Sequence, residues 1–181
     1  LHRRMRRGGC VLTSLLLLIA IDVAGGSATK CFYLTDIAII GGTYDEIDAN
    51  DIRTCCMKCA ANNCCLAYTY DKLKQRCYLK SSIAYSEVRS SMTSGLKANI
   101  LQGAGCRLPN VQIDGGTLNV PLKNHEECQQ YCNSYGIFSW LPPRVGEENG
   151  NCMCTKRITS LRYYFGAHSA ILPIHAGNEE V

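Results

Sequence analysis

One arrangement of cysteines occurs twice in this chain. Cys31 and Cys106 are 75 residues apart, Cys55 and Cys128 are 73 apart, Cys59 and Cys132 also 73, and Cys77 and Cys152 again 75. Other landmarks keep the offset: IIGGT at 39–43 lines up with IDGGT at 113–117, and SGL at 94–96 with SAI at 169–171. A period of this size means two copies of one module, each of about 70 residues within a chain of 181. Modules that small bury a limited core and depend on covalent staples, and 13 cysteines supply them. Cysteine use this dense belongs to an oxidising compartment.

The first 28 residues read as a secretory signal. Arg3, Arg4, Arg6 and Arg7 form a positive region, Cys10–Ile21 is an apolar run, and small residues follow at 24–28. A membrane anchor is the competing reading, but about 20 apolar residues are needed to span a bilayer and Asp22 ends this run. Removing the segment takes away Cys10, four arginines and Asp22. It leaves 12 cysteines and a net charge of about +1, against +4 for the whole chain. The basic balance is thus a property of the leader, and nothing in the remainder argues for nucleic acid or for stable insertion in a membrane.

The first module runs over 31–100. It opens on the apolar run Ile37–Ile40 and a Gly41-Gly42 turn. Asp51 or Thr54 caps a helix over about 52–61. LAYTY at 66–70 and Cys77–Leu79 read as strands, 81–94 as polar and irregular, and a short strand returns near Leu96. A short linker at 102–105 leads to the second module, 106–174. There Asn124 caps a helix over about 125–134, and Ile137–Leu141 and Cys152–Cys154 are strands. The loop between them is two residues longer than its counterpart, and 175–181 reads as a loose tail.

Cysteines four apart on a helix share one face: Cys55 with Cys59, and Cys128 with Cys132. Strand cysteines downstream can pin that face, Cys77 to Cys55 and Cys65 to Cys59. In the second copy the partners are Cys152 and Cys154, two apart on a strand and so on one side of it. Spacing leaves their assignment open; analogy with the first copy favours Cys128–Cys152, leaving Cys132–Cys154. Zinc is the competing use of CCMKCAANNCC, but structural zinc sites show two short Cys/His pairs at a defined separation. No histidine lies near the first copy's cysteines, so no metal or other cofactor is expected.

The order Gly41-Gly42, Cys55-x3-Cys59, CLAYTYD at 65–71 and CYLK at 77–80 resembles the PAN/apple module. The second copy keeps Gly115-Gly116 and ECQQYC at 127–132, lacks the CLAYTY cysteine (Phe138 or a neighbour stands there), and has Cys154 on the next strand. The resemblance implies an α+β fold: two tandem disulfide-rich modules, each a curled antiparallel sheet around one short helix. It leaves Cys31, Cys56, Cys64 and Cys106 over. Cys56–Cys64 fits as a local bridge. Cys31 and Cys106 are left to pair across the modules or between chains, unless a propeptide extending to about residue 42 is removed and Cys31 with it.

No nucleophile elbow, P-loop or paired-carboxylate arrangement stands out, so an enzyme is not expected. The family resemblance implies binding of proteins or carbohydrates. Two-module chains of this kind are similar to microneme adhesins of apicomplexan parasites, some of which are dimeric lectins for galactose or N-acetylgalactosamine. The expectation is therefore a secreted lectin of a microneme-like organelle, a homodimer acting on host glycans. The alternative is a protein-docking module of a secreted adhesin complex. The site is expected in the second module. Trp140, Tyr163 and Tyr164 offer stacking surfaces, Lys123, His168 and Lys156 donors, and 147–151 acceptors. Lys156 falls near the end of the CYLK strand, where the resemblance implies a sugar contact. Core packing competes with sugar stacking as the role of Trp140.

Overall fold

The structure, a computed structural model, describes residues 31–97 and 106–172. The leader, the linker and the tail expected above lie outside the described residues. The first copy consists of β1 (Phe32–Ile40), β2 (Thr43–Asp48), α1 (Ile52–Ala60), β3 (Ala67–Asp71), β4 (Arg76–Lys80) and β5 (Tyr85–Leu96). The second consists of β6 (Cys106–Asp114), β7 (Leu118–Leu122), α2 (His125–Tyr131), β8 (Ile137–Leu141), β9 (Gly150–Thr155) and β10 (Ser160–Ile171). The main sheet runs β2-β4-β3-β5-β10-β8-β9-β7, with β1 paired to β5 and β6 to β10. All the pairings are antiparallel.

The two helices are too short to hold themselves together in water, and the sequence secures them at both levels. Asp51 caps α1 by accepting from the Thr54 N–H at 2.7 Å. Asn124 caps α2 by accepting from the Glu127 N–H at 2.8 Å, while the Glu127 carboxylate accepts from the Lys123 N–H. Glu126 and Glu127 sit in the first turn, where the helix dipole favours negative charge. Bridges Cys55–Cys77 and Cys59–Cys65 then bind α1 to β4 and to the turn before β3, and Cys128–Cys152 and Cys132–Cys154 bind α2 to β9. Each helix covers its own small core: Ala49, Tyr68, Tyr70 and Leu79 around the bridges in the first copy, Phe138, Ala170 and Leu172 in the second.

A fifth bridge joins Cys31 to Cys56. The expected Cys56–Cys64 bridge is not formed, because Cys56 is buried facing the start of β1 while Cys64 is exposed in the turn after α1 and carries a free thiol. Pairing of Cys31 with Cys106, one of the alternatives left open by the sequence, falls because Cys31 is already bonded to Cys56. The strand register shows why the sequence misled: Phe32 faces Leu96 on β5, and Cys106 faces Ile171 on β10. Cys106 thus corresponds to Phe32 and not to Cys31. Gln129 stands where Cys56 stands, and its side-chain oxygen accepts from Arg107 at 3.1 Å.

Two further expectations are corrected. The polar stretch 81–94 is mostly strand: β5 is twelve residues long. Its serines spend their hydroxyls inside the fold, Ser94 donating to the Ile37 carbonyl at 2.7 Å and Ser86 accepting from the Leu161 N–H at 2.8 Å. Tertiary partners override the weak strand propensity of serine. The β8–β9 connection is five residues longer than its counterpart, not two, since the innermost ladder pairs are Asp71↔Arg76 and Leu141↔Asn151. Matching Cys65 to Phe138 hid this. The register pairs Ala67 with Lys80 and Ile137 with Thr155, so Phe138 corresponds to Tyr68.

The copies meet along β5 and β10. Tyr85 pairs with Arg162, and the Tyr163 N–H donates to the Ala84 carbonyl at 2.6 Å. Beneath this seam lies one continuous apolar cluster built from both copies, with Leu34, Ile39, Ile83 and Leu96 on one side and Leu108, Val111, Ile113, Leu161 and Ile171 on the other. Inside each copy a buried hydroxyl pair ties the first strand across the sheet. Thr69 and Ser94 lie 2.8 Å apart and both accept from the Ile39 N–H. Ser139 and Ser169 lie 2.7 Å apart, and Ser139 accepts from the Ile113 N–H.

Candidate functional site

The longer β8–β9 connection forms one wall of a cleft of about 700 Å³ in the second copy. Its floor is the outward face of β7 and β9, where Asn119 and Pro121 lie beside Asn151. The facing wall comes from β6 and β10: Gln112, Arg162 and Tyr164 line it. Arg144, Glu147, Glu148 and Asn149 close the end.

The β6–β10 wall is held by a polar network. The Arg162 Nε donates to the Gln112 Oε1 at 3.0 Å, the Gln112 Nε2 donates to the Asp114 Oδ1 at 2.7 Å, and the Ser160 hydroxyl donates to the Asp114 Oδ2 at 2.9 Å. Next to it β10 bulges. The Gly166 N–H donates to the Asn110 Oδ1 at 2.9 Å, and both residues have positive φ. A side chain at Gly166 would press on Pro142, so the bulge carrying Tyr164 and the loop wall approach closely there. The loop braces itself: the Arg144 N–H donates to the Glu147 carboxylate, and the Glu147 N–H to the Arg144 carbonyl. The cleft is therefore framed by fixed backbone and carries four carboxamides, two guanidinium groups, two carboxylates and a phenol.

Of the residues singled out from the sequence, Tyr164 and the loop residues Glu147, Glu148, Asn149 and Asn151 are brought together here. The others lie elsewhere. Trp140 is half-buried over the helix core, its Nε1 donating to the Leu122 carbonyl at 3.0 Å. Tyr70 occupies the same place in the first copy, its hydroxyl donating to the Asn50 carbonyl at 3.0 Å. Both side chains fasten the backbone just ahead of a helix cap, so the packing role of Trp140 is the one the structure shows. His168 lies beside Trp140, its ring edge-on to that of His125 with centroids 4.1 Å apart. Partial burial, and then the neighbouring His125, push the His168 imidazole below its usual pKa; Arg107 acts the same way and Glu126 against it. Tyr163 is exposed at the seam. Lys123 is exposed and precedes α2, and Lys156 is exposed beyond the end of β9 opposite the loop wall.

The register also moves the lysine that the family resemblance attaches to sugar contact. Lys80 ends β4 and corresponds to Thr155, one residue before Lys156. Lys80 is buried, donates to the Thr43 hydroxyl at 2.9 Å and lies 5.9 Å from the centre of the Tyr78 ring. Burial lowers its pKa, with Glu46 opposing. The sulfurs of Cys128, Cys132 and Cys152 lie within 4.8 Å of one another, but all three are engaged in disulfides.

Reading along the chain missed Gln112, Asn119, Arg144 and Arg162. A signal was present in the repeat: Gln112 replaces the buried Ala38, and Arg162 replaces Glu87, at otherwise equivalent positions. The buried polar group at 112, where the sister copy has alanine, marks a place where hydrogen bonds to Arg162 and Asp114 replace apolar packing.

Models of the PAN domain match residues 31–101 and again 108–153. The chain belongs to the PAN/apple family. Its modules are binding modules, and the five disulfides among the described residues are those of a protein made for an oxidising, extracytoplasmic setting. The uncharacterized protein L719 of Acanthamoeba polyphaga mimivirus is 35% identical over 63 residues, 34% of this chain and 18% of that protein. Among solved structures, the two N-terminal apple domains of Toxoplasma gondii microneme protein 4 match with a TM-score of 0.37 and 13% identity, over 77% of this chain and 88% of that one. Among the described residues, no helix is long and apolar enough to cross a membrane.

Proposed function

We propose that the protein is a secreted lectin that binds galactose or N-acetylgalactosamine on host-cell glycans through the cleft of the second module. The cleft itself carries this reading. A pyranose presents hydroxyls that both donate and accept, and a carboxamide side chain does the same through its two ends. Asn119, Asn149 and Asn151 supply three such groups, Gln112 being engaged at both ends by Arg162 and Asp114, and Tyr164 offers a ring against which the apolar face of galactose can stack. Single sugar sites bind weakly, so a homodimer would supply avidity. Residence in a microneme-like organelle before release follows from the resemblance of the two-module arrangement.

A glycan array probed with the refolded chain tests the reading, with Tyr164→Ala and Asn151→Ala as controls. Galactose-terminated glycans bind the parent and lose at least about tenfold in affinity with either substitution, as expected when a hydrogen-bonding or stacking partner is removed. Lys80→Met in the same array separates the two modules: it leaves binding unchanged if the cleft is the site. A folded chain with no glycan signal that co-purifies with another secreted protein would establish the docking alternative instead.

A further inference from the structure

We propose that the cleft is one half of a longer groove, and that its ligand is an extended oligosaccharide occupying at least two subsites along β7. The inference rests on the lectin reading above.

A second cavity, of about 270 Å³, lies at the other end of β7, lined by Gly116, Thr117, Leu118, Asn119 and Met153. Asn119 lines both cavities. They are therefore neighbours on one surface, joined at the middle of a strand. That strand is an edge: β7 pairs with β9 alone among the described strands. Its alternate residues Leu118, Val120 and Leu122 pack on the helix core, which turns Asn119 and Pro121 outward. With Met153 and Asn151 opposite them, they make a continuous floor two rows long. At about 3.3 Å per residue, β7 runs roughly 16 Å, and a single pyranose ring cannot touch the loop wall and the Gly116 turn together.

The two ends differ in chemistry. The loop end carries Arg144, Arg162, Glu147 and Glu148 around its carboxamides. The far end carries no charge: a hydroxyl from Thr117, the amide of Asn119 and the thioether of Met153. Its shape is fixed, because a side chain on the neighbouring Gly115 would overlap the Thr155 side chain and the Arg157 carbonyl, so the turn lies flat on the end of β9. An uncharged sugar ring laid on Met153, with a hydroxyl toward Thr117, fits this end. The terminal galactose, or a residue bearing a charged substituent, fits the other. Recognition then reads the linkage between sugars as well as the terminal unit.

Calorimetry on the full chain with methyl β-galactoside and with linear β-galacto-oligosaccharides of two to four units tests this. Affinity is expected to rise about tenfold or more between one and three units. Thr117→Val and Met153→Leu, which keep the shape of the sheet, weaken the trisaccharide about three- to tenfold and leave the monosaccharide unchanged, the range expected for one or two lost hydrogen bonds or contacts. Tyr164→Ala weakens both. If methyl β-galactoside binds but affinity is flat with chain length and both far-end variants are silent, the second subsite is overturned and the lectin reading stands. If no saccharide binds the folded chain, the lectin reading falls, and the groove assignment with it.

Discussion

The two modules use one framework and place their irregularities in different parts of it. In the first copy the extra chemistry is covalent. Cys31–Cys56 fixes the start of β1 to α1, and the β3–β4 connection is the short turn 72–75, held by the buried Asp71 carboxylate accepting from the Leu73 and Lys74 N–H groups. In the second copy that bridge is replaced by an exposed hydrogen bond from Arg107 to Gln129, and the β8–β9 connection is long and lines a cleft. A duplicated fold can thus relax one copy for binding while the other keeps the additional staple, and the shared core under the β5–β10 seam lets the relaxed copy lean on the braced one.

The sharpest way to break this comparison is to remove the staple that only one copy has. Replacing Cys31 and Cys56 together by serine is expected to cost about 2–4 kcal/mol, the usual worth of a bridge closing a loop of this size. Arg107→Ala, the corresponding cut in the second copy, costs less than about 1 kcal/mol, as exposed polar pairs do. Denaturant unfolding followed by circular dichroism measures both, and equal losses would show that the copies are braced alike.

The buried hydroxyl pairs allow a finer test. Ser139→Ala removes the hydroxyl that accepts from the Ile113 N–H and leaves a buried donor unmatched, at a cost of about 1–3 kcal/mol. Thr69→Val leaves Ser94 to accept from the Ile39 N–H, so the loss stays near 1 kcal/mol. A reversed order in thermal melts would overturn this account of how the two copies support their first strands.

Smaller still is a difference in pH response. His125 and His168 touch in the second copy, where the first has Ile52 and Thr93. The His168 pKa is lowered on folding, so the unfolded chain takes up this proton first as pH falls. The second module is therefore fully stable above about pH 6.5 and loses stability as the pH drops from there toward the lowered folded value. Melts at pH 7.5 and 5.5 should differ for the parent and converge for His168→Gln. The least effect of all belongs to Lys156→Met: its exposed position past the far end of β9 predicts unchanged sugar affinity and unchanged melting.

Much of the framework is legible in the sequence. The C-x3-C pairs place both helices, Asn124 marks the start of the second and either Asp51 or Thr54 that of the first, where the cap is Asp51, and the alternating runs at 66–70 and 137–141 mark the central strands. These are local signals, carried by residues a few positions apart. What was misread depended on partners far away in the chain. The serines of β5 look like loop residues until Ile37, Thr69 and Leu161 are brought against them. Cys31, just ahead of β1, is joined to Cys56 on α1, a pairing that no spacing rule states. The cleft was half visible: its loop was conspicuous as an insertion, but Gln112 and Arg162 come from strands that reach it only when the sheet curls. Trp140, the most conspicuous aromatic in the sequence, turned out to fasten a helix cap, as the less conspicuous Tyr70 does.

The Cys31–Cys56 bridge has a mechanical side. Tension applied to the chain ahead of Cys31 does not have to pass through the hydrogen bonds of β1. It enters α1 through a covalent bond and leaves again through Cys55–Cys77 and Cys59–Cys65 into the strands behind it. The helix becomes a hub in a covalent load path, and β1 can be peeled without the module coming apart. Pull from beyond Leu172 meets no such bond among the described residues and must be borne by β10 against β6 and β8. The half of the chain that takes load through covalent bonds and the half that carries the cleft are then different modules.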